Sequence, residues 1–177
     1  MTEARTTLWT VGHSTQTLEQ LIDSLRAYEI SLLVDVRTVP RSRRNPQFNR
    51  ESLPDDLARA GMTYRHDKGL GGLRKPRKDS TNLGWQNAGF RGYADYMETD
   101  EFELRLDALI EVSTSSRVAV MCAEVVPWRC HRSLIADALT ARGIDVVHIL
   151  SGKRGQPHRM TPFARVTEGR VTYPGLQ

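Results

Sequence analysis

The stretch Val118-Ala-Val-Met121-Cys122-Ala-Glu124-Val-Val-Pro127-Trp128-Arg129-Cys130-His131-Arg132 decides how this chain is read. Val118 to Met121 is an unbroken apolar run and reads as a buried strand. Ser133 to Leu139 then spaces its apolar residues as a helix does, up to Gly143, where glycine most readily takes a left-handed cap. Cys122 to Arg132 is therefore the loop from a strand into a helix. In an open α/β sheet such loops lie at the carboxyl edge, where ligands bind and free helix amides favour an anion or a thiolate.

Working outward, Leu8 to Val11 reads as a first buried strand, followed by the turn Gly12-His13-Ser14-Thr15. Thr17 and Gln20 have the spacing of a capping box, and Leu18, Leu21, Ile22 and Leu25 mark the apolar face of the helix it opens. Leu32 to Val36 is the next strand, so strand, helix and strand form a parallel, right-handed crossover unit. Pro40 and Pro46 oppose regular structure across the Arg-rich run between them. Glu51 to Ala60 reads as a short helix ending at Gly61, with an extended segment at Met62 to Tyr64. From Gly69 to Gly89 no apolar period exists, which predicts a long functional or mobile excursion. Tyr93 to Met97 and the set Phe102, Leu106, Leu109 and Ile110 predict two more helices, and Asp145 to Leu150 a last strand before a polar tail. The sum is an α/β protein: a three-layer α/β/α sandwich around a mostly parallel, Rossmann-like sheet. It is read as one domain over residues 1–177, with a basic, loop-rich insertion at about 37–91. Parallel strands deliver their carboxyl ends to one edge, so Gly12-His13, Asp35 to Arg37 and Cys122 to Glu124 are expected to converge there.

Composition narrows the function classes. At 177 residues and 39% apolar content the chain can bury one substantial core. No apolar run is long enough to cross a bilayer, and Met1 to Thr7 lacks the apolar centre of a secretion signal, so a cytoplasmic protein without a membrane partner is expected. Two cysteines make no disulfide framework; they are expected as thiols, with a reversible bridge left open. The net charge of +4 conceals an asymmetry: residues 37–91 carry 13 Lys and Arg against 5 Asp and Glu, the rest 12 against 16. Such a segment fits a local site for phosphate or another polyanion, a solvated Arg-rich loop being the competing reading.

The separated motifs Thr10-Val-Gly-His-Ser14, Val34-Asp-Val-Arg37, Phe48-Asn49, Leu70-Gly-Gly72, Cys122-Ala-Glu124 and Cys130-His-Arg132 occur in this order. In that combination the chain resembles, over nearly its whole length, the domain-of-unknown-function 488 family of small bacterial and archaeal proteins. The resemblance implies a Rossmann-like α/β domain and brings no settled activity or catalytic assignment with it.

The residues themselves supply the candidate roles. Asp35 and Arg37 fall on one strand face; the carboxylate can act as a base or hold a ribose hydroxyl, the guanidinium can fix a phosphate, and an internal ion pair is the alternative. Glu124 adds a second carboxylate at the same edge, and His13 either an acid or base or a helix cap. Cys122, with Arg129 and Arg132 nearby to favour a thiolate, is either a nucleophile or a small core residue. Tyrosine-phosphatase chemistry is excluded because the position six after Cys122 is Trp128 where that mechanism needs arginine. Cys130, His131 and Arg132 at the helix start suit an anionic group. Arg41, Arg43, Arg44 and Asn49, with Phe48, Arg74 and Trp85 in the same basic middle, combine cations, amides and aromatic faces as polyanion binding does. Cys122, Cys130, His131 and His13 are conceivable metal donors, but their spacing fits no short zinc knuckle, so no metal is assigned and any cofactor stays unknown. Three functions remain open: an enzyme cleaving a glycosidic or phosphoester bond of a nucleic acid or nucleotide, a non-catalytic nucleic-acid-binding module, or a thiol- or metal-dependent enzyme built on Cys122 and Cys130.

Overall fold

In the computed structural model, which describes residues 4–175, a six-stranded sheet has the order β3-β2-β4-β1-β5-β6. The strands are β1 (Thr7–Gly12), β2 (Leu32–Asp35), β3 (Thr63–His66), β4 (Val118–Cys122), β5 (Asp145–Ile149) and β6 (Gly155–Pro157). β1 to β5 pair in parallel and β6 runs antiparallel on β5, so the sheet is mostly parallel. Five helices cover it: α1 (Leu18–Ala27), α2 (Leu53–Arg59), α3 (Ala88–Tyr96), α4 (Asp100–Ser113) and α5 (Arg132–Ala141).

Alternation along the strands assigns the two faces. Leu32, Val34, Val118, Val120 and Cys122 pack with Tyr93 of α3, Phe102 and Leu106 of α4, and Leu134 and Leu139 of α5. Leu33, Ala119 and Met121 point the other way, onto Leu21 and Leu25 of α1 and Leu53 and Leu57 of α2. This period of two is what a strand buried on both faces imposes, and it yields the three-layer α/β/α, Rossmann-like architecture. α1 opens with the expected capping box between Thr17 and Gln20. Gly61 and Gly143 end their helices at φ of 84° and 83°, a conformation that favours glycine. No helix among the described residues is long and apolar enough to cross a membrane.

Three features depart from the sequence reading. The extended segment after α2 is longer than Met62 to Tyr64 and becomes the edge strand β3, because Thr63 to His66 pairs in register with Leu32 to Asp35. The excursion after Gly69 has no regular structure before α3, yet it is pinned. Asp95 of α3 accepts hydrogen bonds from the Arg77 amide (2.8 Å), the Ser80 hydroxyl (2.7 Å) and Asn82 Nδ2 (2.8 Å). The polar tail holds regular structure that its sequence did not announce: besides β6 it forms a hairpin of β7 (Arg165–Thr167) and β8 (Arg170–Thr172), turned through Glu168 and Gly169 at positive φ.

The tail is tied to the core by a chain of polar groups. Asp137 of α5 accepts from the Tyr173 hydroxyl (2.7 Å), the Thr161 amide (3.0 Å) and His158 Nε2 (2.8 Å). His158 Nδ1 lies 2.8 Å from His148 Nε2, whose Nδ1 meets the Thr10 hydroxyl at 2.5 Å. One tautomer satisfies the whole chain: Thr10 donates to His148, His148 to His158, and His158 to Asp137. Burial, helped by His158 and Arg132, lowers the pKa of His148 to about 3, in keeping with that neutral arrangement.

Candidate active site

β2, β4 and β1 are consecutive in the sheet, with Asp35 paired to Met121 and Gly12 to Cys122. Their carboxyl ends therefore open side by side. After β1 the chain follows β4 for two more residues, the His13 and Ser14 amides donating to the carbonyls of Cys122 (3.0 Å) and Ala123 (2.9 Å). This approach demands glycine at position 12, since a Cβ there would stand 1.6 Å from the Glu124 carbonyl oxygen. Ser14 turns out of it at φ 47°, a backbone conformation that non-glycine residues adopt at some cost.

The three strand ends border one cleft of about 640 Å³, within the range of small-ligand sites. Of the residues singled out from sequence, His13, Arg37, Arg41, Arg44, Cys122, Glu124, Cys130 and His131 line it. Ser14, Thr38, Arg129 and Phe90 line it as well; the sequence had marked Arg129 as a cation near Cys122 and Ser14 only as part of a motif, and gave no signal for Thr38 or Phe90. Asp35, Arg43, Asn49 and Arg132 do not. Arg43 and Asn49 border a separate hollow with Arg41 and Glu51, where Asn49 Oδ1 accepts from the Ser42 amide (2.7 Å) and shapes the loop.

Asp35 is fully buried behind Arg37. Its Oδ1 accepts from Arg37 Nε (2.9 Å) and its Oδ2 from Arg37 Nη2 (2.7 Å) and the Tyr64 hydroxyl (2.5 Å). Arg37 Nη2 also donates to the Phe48 carbonyl (2.7 Å), and Nη1 to His13 Nε2 (3.2 Å). A guanidinium has five N–H donors; four are committed here, which leaves one on Nη1 beside the cleft. Burial opposes the Arg37 charge, but the hydrogen bonds and charge of Asp35 prevail and raise its pKa. Asp35 thus acts through Arg37, as the ion-pair alternative anticipated.

His13 is fixed in the same way. Its Nδ1 donates to the Ser14 carbonyl (2.9 Å), Nε2 accepts from Arg37, and the ring stacks on Phe48 with centroids 4.5 Å apart. Burial lowers its pKa, assisted by Arg37 and opposed by the Ser14 hydrogen bond. With both nitrogens engaged, it orients Arg37 and has no free lone pair for proton transfer.

Cys122 and Cys130 meet at the cleft floor, the Cys130 S–H donating to Cys122 Sγ at 2.8 Å. Burial opposes ionisation of Cys122, yet the Cys130 hydrogen bond, the nearby Arg132 charge and the Glu124 backbone together lower its pKa. The same hydrogen bond, with burial, raises that of Cys130. His131 Nε2 donates to the Val36 carbonyl (3.0 Å), so Nδ1 is a lone pair, and it faces Cys130 Sγ at 3.4 Å. Burial lowers the His131 pKa to about 4, with Arg132 assisting and the Val36 hydrogen bond opposing. Gly72 lies against this ring, where a Cβ would come within 2.4 Å of Nδ1.

Arg132 was expected to bind substrate, but it is fully buried beneath the loop. Its Nη2 donates to the carbonyls of Glu124 (3.0 Å) and Val125 (2.8 Å), while Nε and Nη1 have no hydrogen-bond partner. It makes no ion pair with a carboxylate among the described residues, and its charge helps lower the pKa of Cys122. Among the described residues no group of three or more His, Cys, Asp and Glu side chains that could hold a metal ion is formed, so the geometry gives the metal alternative no support.

The cleft is therefore rimmed by Arg37, Arg41, Arg44 and Arg129 against a single acidic residue, exposed Glu124. Arg41 is held by Glu51, its Nε donating to Oε1 at 3.0 Å. Comparison with curated proteins and with solved structures gives no match. The family model for the domain of unknown function DUF488 matches residues 17–139, a span that takes in β2, β4, the 122–132 loop and all but the last two residues of α5. This chain belongs to the DUF488 family.

Proposed function

We propose that the cleft is the active site of an enzyme that binds a nucleotide unit, free or within a nucleic acid, through its phosphate and cleaves a phosphoester or glycosidic bond there. The observation that carries this reading is the ring of Arg37, Arg41, Arg44 and Arg129 around a nucleophile candidate and a carboxylate, the Cys122 sulfur and Glu124. Arg37, locked by Asp35, His13 and the Phe48 carbonyl, offers its last N–H as a rigid phosphate anchor, with little ordering left to do on binding. Arg44 and Arg129 are exposed and close on the same anion from the rim. The Cys122 sulfur attacks the phosphorus or anomeric carbon as the bond to the leaving oxygen or base nitrogen breaks and the leaving group takes a proton from solvent. A water molecule that gives its proton to the Glu124 carboxylate then hydrolyses the sulfur-linked intermediate, which releases the product and frees Cys122. Asp35 and His13 are positioning residues in this scheme.

The test uses end-labelled short RNA and DNA and free nucleotides at low salt, following both binding and product release. Glu124→Gln and Cys122→Ser should each abolish turnover while affinity stays within about threefold of wild type. Unchanged turnover in both variants, or no binding of any nucleotide or nucleic acid, overturns the proposal. A second reading, a non-catalytic binding module, draws on exposed Arg43, Arg44, Arg129 and Trp128. Salt-sensitive binding without any turnover by the wild-type protein would favour it.

A further inference from the structure

We propose that Cys122 and Cys130 form a reversible intrachain disulfide on the cleft floor, making this pair a thiol-oxidation site for a small peroxide. The two sulfurs are already in contact at 2.8 Å, with one S–H shared between them. A disulfide needs about 2.05 Å, so the bond closes with side-chain movement of less than about 1 Å. Both residues line an open cleft, which lets a molecule the size of hydrogen peroxide reach them although each is mostly buried.

The surroundings assign the two sulfurs different roles. Arg132 lies beneath the loop as a fully buried cation, with Nε and Nη1 unpartnered and no carboxylate paired to it. A cation so placed favours the thiolate of Cys122, the form that attacks peroxide. Cys130 keeps its proton and faces the His131 Nδ1 lone pair at 3.4 Å, a base placed to receive that proton when Cys130 attacks in turn. In the first step the Cys122 thiolate attacks one peroxide oxygen; the O–O bond breaks, Cys122–S–OH forms, and the departing hydroxide becomes water with a proton from solvent. In the second step Cys130 gives its proton to His131 Nδ1 and its sulfur attacks the Cys122 sulfenic sulfur; the S–O bond breaks, the S–S bond forms, and the departing hydroxide takes that proton from His131 and leaves as water. Each sulfur gives up one electron and the peroxide takes both. An external dithiol restores the pair by thiol–disulfide exchange. Loss of the thiolate would also stop the bond cleavage proposed above, a consequence that rests on that reading; the disulfide itself does not.

The experiment treats the native full chain with equimolar hydrogen peroxide and no nucleotide, quenches with acid, alkylates free thiols and reads the intact mass and peptide map. The expected result is a monomer lighter by two hydrogens, with Cys122 and Cys130 both protected from alkylation and both recovered after dithiothreitol. Cys130→Ser should stop at a sulfenic acid on Cys122 that dimedone captures, and Cys122→Ser should slow oxidation of the chain at least about tenfold. Because the readout on wild-type protein stands alone, a variant that fails to fold does not decide the matter. Both thiols still alkylatable after treatment, a disulfide joining two chains, or conversion of Cys122 to sulfinic acid with Cys130 left free would each overturn the proposal.

Discussion

Replacing Asp35 with alanine tests how rigidly the cleft floor is built. Four hydrogen bonds converge on that carboxylate: from the Arg37 amide (3.1 Å), Nε (2.9 Å) and Nη2 (2.7 Å), and from the Tyr64 hydroxyl (2.5 Å). The ion pair is almost dry, with side-chain exposures of 6% for Arg37 and 0% for Asp35. Deleting the anion strands a buried guanidinium on the Phe48 carbonyl and His13 alone. Breaking one partner of such a pair costs about 3–5 kcal/mol, a large share of the roughly 5–15 kcal/mol that holds a typical domain folded. For a chain of this size that corresponds to a fall in Tm of roughly 6–20 °C. Urea denaturation followed by tryptophan fluorescence, with thermal melts alongside, measures it. The Asp35→Ala, Arg37→Ala double variant removes the stranded charge and should be less destabilised than the sum of the two single variants by about 2–3 kcal/mol. A loss below about 1 kcal/mol for Asp35→Ala, with additive behaviour in the double variant, would mean that Arg37 is free to reach water, and the preorganised anchor would be refuted.

Further outcomes follow from the same geometry. An unfolded histidine takes up a proton below about pH 6.5, whereas His131 and His148 in the folded protein do so only near pH values of about 4 and about 3. Stability should therefore be level above about pH 6.5 and fall as the pH drops from there toward those folded values. At pH 5 His131 and His148 each contribute a loss on the order of 2 kcal/mol, buried His13 adds to it, and His148→Gln should remove roughly a third to a half of the slope in urea titrations at stepped pH. Gly12→Ala sets a methyl group 1.6 Å from the Glu124 carbonyl oxygen, so the loop must move. We expect a loss of at least about 1–3 kcal/mol by denaturation, together with weaker ligand binding, and a variant as stable as wild type would contradict the close approach. Arg44 and Arg129 are exposed at the cleft rim, and alanine at either should lower the slope of log affinity against log salt by about 0.7 for single-stranded nucleic acid, read by fluorescence anisotropy.

The sheet was legible because strands buried on both faces leave unbroken apolar runs, and parallel pairing then sends every carboxyl end to one edge. Val118 to Met121, Leu32 to Asp35 and Leu8 to Val11 carried that signal, and the neighbouring positions of His13, Arg37 and Cys122 followed from it. Contacts between segments distant in sequence were not legible. Nothing in Tyr64 foretells a hydroxyl on Asp35, and nothing in Phe48 a ring stacked on His13. Arg132 read as a ligand-binding cation because a helix start usually faces solvent; here the loop carbonyls of Glu124 and Val125 fold over it. The tail was read only as polar because β6, β7 and β8 are each three residues long and carry almost no buried apolar residues. A faint signal for its docking did exist: Asp137 within an apolar helix and His148 within an apolar strand are polar groups that burial obliges to find partners, and they find His158, Thr161 and Tyr173.

The central claim is that the strand ends of β1, β2 and β4 form a phosphate-binding cleft anchored on Arg37. Determining a crystal structure of the protein soaked with a nucleoside 5′-monophosphate tests it most directly. The account predicts a phosphate oxygen within hydrogen-bond distance of Arg37 Nη1, with Arg44 or Arg129 closing on the same group. A nucleotide bound elsewhere, or an empty cleft at millimolar nucleotide with Arg37 still paired to Asp35, would contradict it.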